Sequence, residues 1–215
     1  MKTKALMAEF IGTFTLIFVG VGTATGNYIL NDGKTSGIVA VALAYGLTVV
    51  VMVGAIGNVS GAHLNPAVTF SACLRGKIDI KNAVGYVIFQ CLGAIFAASL
   101  LKLTFPLTAL QAVAIGTPTL GQGVTPLMGF VMEFILTFFL LFVIFGTTTN
   151  SQTPKIDGLL IGLVVTLDIL VGGPISGASI NPARYLGPAM VGGNLQYFSI
   201  LVYESLSWVK TQAFI

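Results

Sequence analysis

Five stretches of the chain, at about residues 5–29, 37–57, 82–103, 127–147 and 157–174, are almost uniformly apolar, and a weaker sixth lies at about 195–215. Each of the five approaches the length a helix needs to cross a bilayer, about twenty apolar residues. Composition agrees with that solvent: only 8% of the 215 residues are charged and 55% are hydrophobic, against about 25% charged in a soluble domain. The expected class is an all-α integral membrane protein in contact with lipid, with six spans. The connections are short and rich in turn formers: Asn31-Asp32-Gly33, the Pro106 to Pro126 stretch with four Gly or Pro between its ends, and Thr147 to Pro154. None suggests a second soluble domain, so residues 1–215 are read as one domain. The first run, Ala5 to Leu30, has no small-residue cleavage pattern and exceeds a signal-peptide core, so it is kept as a span.

Two shorter segments stand apart. The frame Ser-Gly-Ala-x-x-Asn-Pro-Ala occurs at Ser60 and again at Ser176, so Asn65-Pro66-Ala67 recurs as Asn181-Pro182-Ala183, 181 − 65 = 116 residues later. Each triplet is a helix start. Asn is among the best N-caps, its side-chain oxygen accepting from the free N–H groups of the first turn, and Pro suits the first helical position, where an N–H would have no partner. After each triplet only about ten residues are apolar, Val68 to Leu74 and Tyr185 to Val191, so each helix covers roughly half of a 30 Å bilayer core.

Charge sets the orientation. Lys2 and Lys4 precede span one, Arg75, Lys77 and Lys81 lie between spans two and three, and Lys155 lies between four and five. The intervening loops are poorer in Lys and Arg, which places the N-terminus in the cytoplasm. Repeat one (about 5–103) and repeat two (about 127–215) each hold three spans, and an odd number inverts the second relative to the first. Inverted repeats with discontinuous helices commonly build a transport site near the midplane. The two half-helices then enter from opposite faces and meet N-terminus to N-terminus. Irregular backbone at that depth is tolerated only when buried in protein or lining a watery cavity. A pore is the economical reading.

Each helix N-terminus carries about half a positive charge, so two facing each other make a midpoint that repels protons and cations. The amides of Asn65 and Asn181 are expected to donate to a passing water or hydroxyl oxygen. Backbone carbonyls of Gly61, Ala62, His63, Gly177, Ala178 and Ser179 would supply acceptors along the path.

The two Asn-Pro-Ala boxes, Arg184 after the second, and the Ala8-Glu9-Phe10 start resemble the major intrinsic protein family, the aquaporins and glycerol facilitators. The match covers about residues 5–200. The resemblance implies six spanning and two half-membrane helices, a homotetramer with one pore per subunit, and passage of water and, in some members, glycerol or other small uncharged solutes. It also implies an outer filter, placed by spacing from the boxes at Tyr45, Ile169, Ala178 and Arg184. Strict water channels of the family usually have His where this chain has Ile169, which widens the constriction and makes it less polar. Glycerol facilitators usually have two aromatic residues here and an Asp after the Arg, whereas this chain has Tyr45 alone and Tyr185. The filter looks intermediate. In the family, residues such as Glu9 and Glu133 accept hydrogen bonds from the half-membrane loops.

Plainer roles compete. Tyr45 could be ordinary core, Arg184 a surface anchor, and His63 a loop-packing group with no partners spaced for a metal. Cys73 and Cys91 are expected as buried hydrophobes. Gly22-xxx-Gly26 and Gly158-xxx-Gly162 suit close helix packing. Asp168 is deep and has no evident partner, and the sixth span, carrying Glu204-Ser205 and Lys210, is expected to be short or irregular. A secondary transporter with broken helices and a non-conducting member of the same family are the competing functions. No nucleophile, base or metal constellation supports an enzyme, and no cofactor, metal or nucleic acid is expected as a partner. The cell membrane is the expected location.

Overall fold

The structure, a computed structural model, describes residues 3–34, 37–148 and 156–197. Five helices in it are long and apolar enough to cross a membrane: α1 (Thr3–Leu30), α2 (Ile38–Ser60), α4 (Ile80–Thr104), α6 (Pro126–Thr148) and α7 (Asp157–Ser176). They coincide with the five strong apolar runs. Between α2 and α4 lies the short α3 (Pro66–Leu74), and after α7 comes α8 (Pro182–Gly192). At about 1.5 Å per residue their 9 and 11 residues cover only half a bilayer. The expected sixth span falls outside the described residues.

The helices pair as α1 with α4 and α2, α7 with α2 and α6, and α4 with α8. Lipid is as apolar as leucine, so helix pairing there relies on close packing rather than on hiding grease from water. The outward surface is accordingly apolar, with Leu47, Val51, Phe142, Leu167 and Val171 exposed. Close approach is made by glycines. A Cβ on Gly162 of α7 would lie 2.4 Å from the Gly46 carbonyl oxygen of α2, and one on Gly93 of α4 would lie 2.3 Å from the Phe10 carbonyl oxygen of α1. The two glycine spacings noted in the sequence therefore differ. Gly158 and Gly162 face α2 tightly, whereas Gly22 makes ordinary contact and Gly26 meets nothing within 4 Å.

The start of α1 and the start of α4 share one end of the bundle, since Ala5 and Leu6 pack with Tyr86, Ile78 and Phe89. At that end the Arg75 guanidinium lies 4.5 Å from the centre of the Phe145 ring, tying the exit of α3 to the last turns of α6. At the opposite end the stretch from Pro106 to Pro126 folds inward instead of looping out. It forms α5 (Leu107–Ala112) and a 3₁₀ turn (Ala114–Gly116), burying Leu110 and Ile115. Gly121 then donates its N–H to the Ile175 carbonyl at 2.9 Å, which docks this connection on the last turn of α7.

Candidate functional site

Both half-helices start as their residue types require. Asn65 and Asn181 are extended, with φ −154° and −148°, and Pro66 and Pro182 take the first helical positions. The Asn65 Oδ1 accepts from the Ala67 N–H at 2.8 Å, and the Asn181 Oδ1 from Ala183 at 3.0 Å and Arg184 at 3.2 Å. The other end of each amide crosses to the other box. Asn65 Nδ2 donates to the Ile180 carbonyl and Asn181 Nδ2 to the Leu64 carbonyl, both at 2.8 Å. An amide nitrogen has two hydrogens, so one on each Asn locks the boxes together and the second takes no part in that bond.

The loops before the caps repeat one geometry. Gly61 and Gly177 close α2 and α7 in the left-handed region, at φ 89° and 80°. Ala62 and Leu64, and their counterparts Ala178 and Ile180, also have positive φ, between 43° and 52°. Such backbone costs of order 1–3 kcal/mol per residue and persists only where its surroundings hold it.

A buried carboxylate does the holding in each repeat. Glu9 Oε1 accepts from the Ser60 hydroxyl at 2.6 Å and the His63 N–H at 3.0 Å, and Oε2 from the Leu64 N–H at 2.7 Å. Glu133 Oε1 accepts from the Ser176 hydroxyl at 2.5 Å and the Ser179 N–H at 2.8 Å, and Oε2 from the Ile180 N–H at 2.7 Å. The two serines in turn accept from the N–H groups of Ala62 and Ala178. Three successive N–H groups in each loop thus point toward Ser and Glu. In a trans peptide the carbonyl points opposite to the N–H that follows it. The carbonyls of Gly61, Ala62 and His63, and of Gly177, Ala178 and Ser179, are therefore directed away from the carboxylates.

A cavity of about 1000 Å³ occupies the space between the repeats. Its lining includes Asn58, Lys77 and Asp157, and the loop and cap residues Gly61, Ala62, His63, Leu64, Asn65, Ser179, Ile180 and Asn181. Tyr45, Ile169, Ala178 and Arg184 line it as well, so the four positions carried over by spacing come together around one space. The Arg184 guanidinium carbon lies 4.7 Å from the centre of the Tyr45 ring, and Arg184 is 8% exposed. Gly177 is not part of this lining.

Several participants were not read from the sequence. Gln90 of α4 donates to Glu9 Oε2 at 2.7 Å and to the Thr69 hydroxyl at 2.9 Å, and the Tyr86 hydroxyl donates to the Ser60 carbonyl at 2.9 Å. A lone Gln in an apolar run was the available signal. The Thr69 hydroxyl also lies 3.0 Å from the Asn65 carbonyl and 3.1 Å from His63 Nδ1, joining the His63 ring to the same network. Asp168 is buried at 2% exposure and is not part of the cavity wall; its Oδ2 has no hydrogen-bond partner among the described residues.

The sequence profile of the major intrinsic protein family matches residues 1–207. The chain belongs to that family. Among its relatives within the family, aquaporin NIP1-1 of Oryza sativa subsp. japonica is 43% identical over 203 residues, 93% of this chain and 68% of that one. Aquaporin NIP1-2 of Arabidopsis thaliana is 42% identical over 87% of this chain and 64% of its own length, and aquaporin TIP4-4 of Zea mays is 46% identical over 88% and 76%. The chain spans 59% to 68% of the length of the five NIP relatives. The X-ray structure of the aquaglyceroporin from Plasmodium falciparum has the same fold, with a TM-score of 0.82 over 100% of this chain and 97% of that one, at 22% identity.

Proposed function

We propose that residues 1–215 form one passive channel domain for water and small uncharged solutes such as glycerol, closed to protons and ions, and that the protein is a transporter rather than an enzyme. The carrying observation is the crossed pair of Asn amides, Asn65 to Ile180 and Asn181 to Leu64, which brings two helix N-termini face to face on one cavity. Two positive helix ends oppose a cation there. The remaining amide hydrogens donate to a solute oxygen, and the carbonyls of Gly61, Ala62, His63 and Ser179 accept from its hydrogens. Pro66, Ala67, Pro182 and Ala183 set the helix starts, Glu9 and Glu133 hold the strained loops, and Tyr45, Ile169, Ala178 and Arg184 form the filter. The family relatives named aquaporins support the water reading, and Ile169 at the filter favours a wider and less polar opening than water alone requires.

The end of the bundle holding Lys4, Arg75, Lys77 and Lys81 faces the cytoplasm in this reading, which puts the N-terminus there. The protein assembles as a homotetramer in the cell membrane; native mass spectrometry of the detergent-solubilised chain and localisation of a fluorescent fusion test those two points. Stopped-flow light scattering on proteoliposomes tests the channel itself. Osmotic water permeability should exceed that of empty vesicles, and equality would defeat the proposal. A glycerol gradient decides the solute class. Uptake that depends on a counter-ion would favour a secondary transporter instead.

A further inference from the structure

Gly20 lies on α1, buried, and is not part of the cavity wall. A Cβ placed on it would meet Cζ, Cε1 and Cε2 of Tyr45 at 2.1, 2.4 and 2.4 Å. Near-equal distances to three adjacent ring atoms mean approach over the ring face. The Arg184 guanidinium carbon lies over the same ring, 4.7 Å from its centre. The ring is therefore in contact with both the α1 backbone and Arg184. Most glycine contacts in this bundle involve backbone or the ends of flexible chains; Gly12, for example, faces the Leu64 and Ile56 tips. At Gly20 the neighbour is a rigid ring that lines the cavity.

We infer that Gly20 is a positioning residue for the outer filter: by offering no side chain it lets the Tyr45 ring lie back against α1, and so sets how wide a solute can pass Arg184. The inference rests on the channel reading above. Adding one methyl requires the ring to retreat from 2.1 Å to an ordinary carbon contact of about 3.5 Å, a movement of about 1.4 Å. The ring is 2% exposed, backed by helix on the Gly20 side and part of the cavity wall, so the movement is toward the cavity. That displacement is about the radius of a water molecule. A solute as broad as glycerol is obstructed more than water is.

The test compares full-length wild type, Gly20→Ala, Tyr45→Ala and the double variant in proteoliposomes, with water and glycerol permeability read by stopped flow and assembly read by native mass spectrometry. Gly20→Ala should lower glycerol passage about tenfold or more and water passage several-fold less, because a packed interior does not absorb such an overlap. The double variant should regain glycerol passage, since the ring that was displaced is gone. If wild type admits water only, the same loss and recovery is read on water. Should Gly20→Ala fail to assemble while the double variant assembles and conducts, the ring is again the cause. An unchanged glycerol-to-water ratio in Gly20→Ala, or a loss that Tyr45→Ala does not relieve, overturns the inference. Wild-type vesicles no more permeable than empty ones would remove the channel reading and this inference with it.

Discussion

Replacing each loop-holding glutamate by glutamine should expose an asymmetry between the repeats. Glutamine keeps the shape but turns one acceptor oxygen into a donor. Glu133 takes two bonds on Oε1, from Ser176 and Ser179, and one on Oε2, from Ile180. Glu133→Gln can keep the first pair and lose only the bond to Ile180. Glu9 takes Ser60 and His63 on Oε1 but Leu64 and Gln90 on Oε2. With Gln90 held in its orientation by its bond to Thr69, either orientation of Glu9→Gln loses two bonds. A bond to a charged group contributes about 1.5–3 kcal/mol, so the expected costs are about 1.5–3 kcal/mol for Glu133→Gln and about 3–6 kcal/mol for Glu9→Gln. In a chain of this size about 2–4 °C of melting temperature accompanies each kcal/mol. Thermal unfolding in detergent, followed by circular dichroism at both positions, reads the difference. A Glu9→Gln shift no larger than that of Glu133→Gln would refute the account of what holds the loops.

Ile169→His should reduce glycerol passage more than water passage in proteoliposomes; equal effects, or none, would show that Ile169 does not face the constriction. Gly162→Ala drives a methyl to 2.4 Å from the Gly46 carbonyl oxygen, backbone that cannot rotate away, and should destabilise the α2–α7 pair by about 1–3 kcal/mol, seen as a lower melting temperature. Asp79 caps α4 by accepting from the Asn82 N–H at 3.0 Å, and that bond, with a further one from the Asn82 side chain, holds its carboxyl below the ordinary 3.8. A lowered folded value means the stabilisation is present above the ordinary pKa and lost as pH falls through the folded one. Amide exchange in the first turn of α4 should therefore quicken relative to the rest of the helix in acid, and Asp79→Ala should show that faster exchange already at neutral pH.

Five of the spans, the half-helix starts and the family were legible in the residues because each depends on near neighbours. About twenty apolar residues need lipid, and Asn before Pro caps the helix that follows, wherever the rest of the chain goes. Even the recurring serine of the frame could be seen, though its partner could not. What tertiary structure decided was direction. The carbonyls of Gly61 to His63 turn away from Glu9 because Glu9, some fifty residues earlier in the chain, and Ser60 collect the N–H groups behind them. Half of each Asn amide is committed to a carbonyl in the other repeat, and no local pattern contains a bond between Asn65 and Ile180. Gln90 joins the Glu9 network from α4, and Gly20 yields its space to Tyr45 from α2. Sequence determines such local preferences because the groups concerned are a few bonds apart; only the packed bundle brings together groups whose separation along the chain carries no signal of their distance in space.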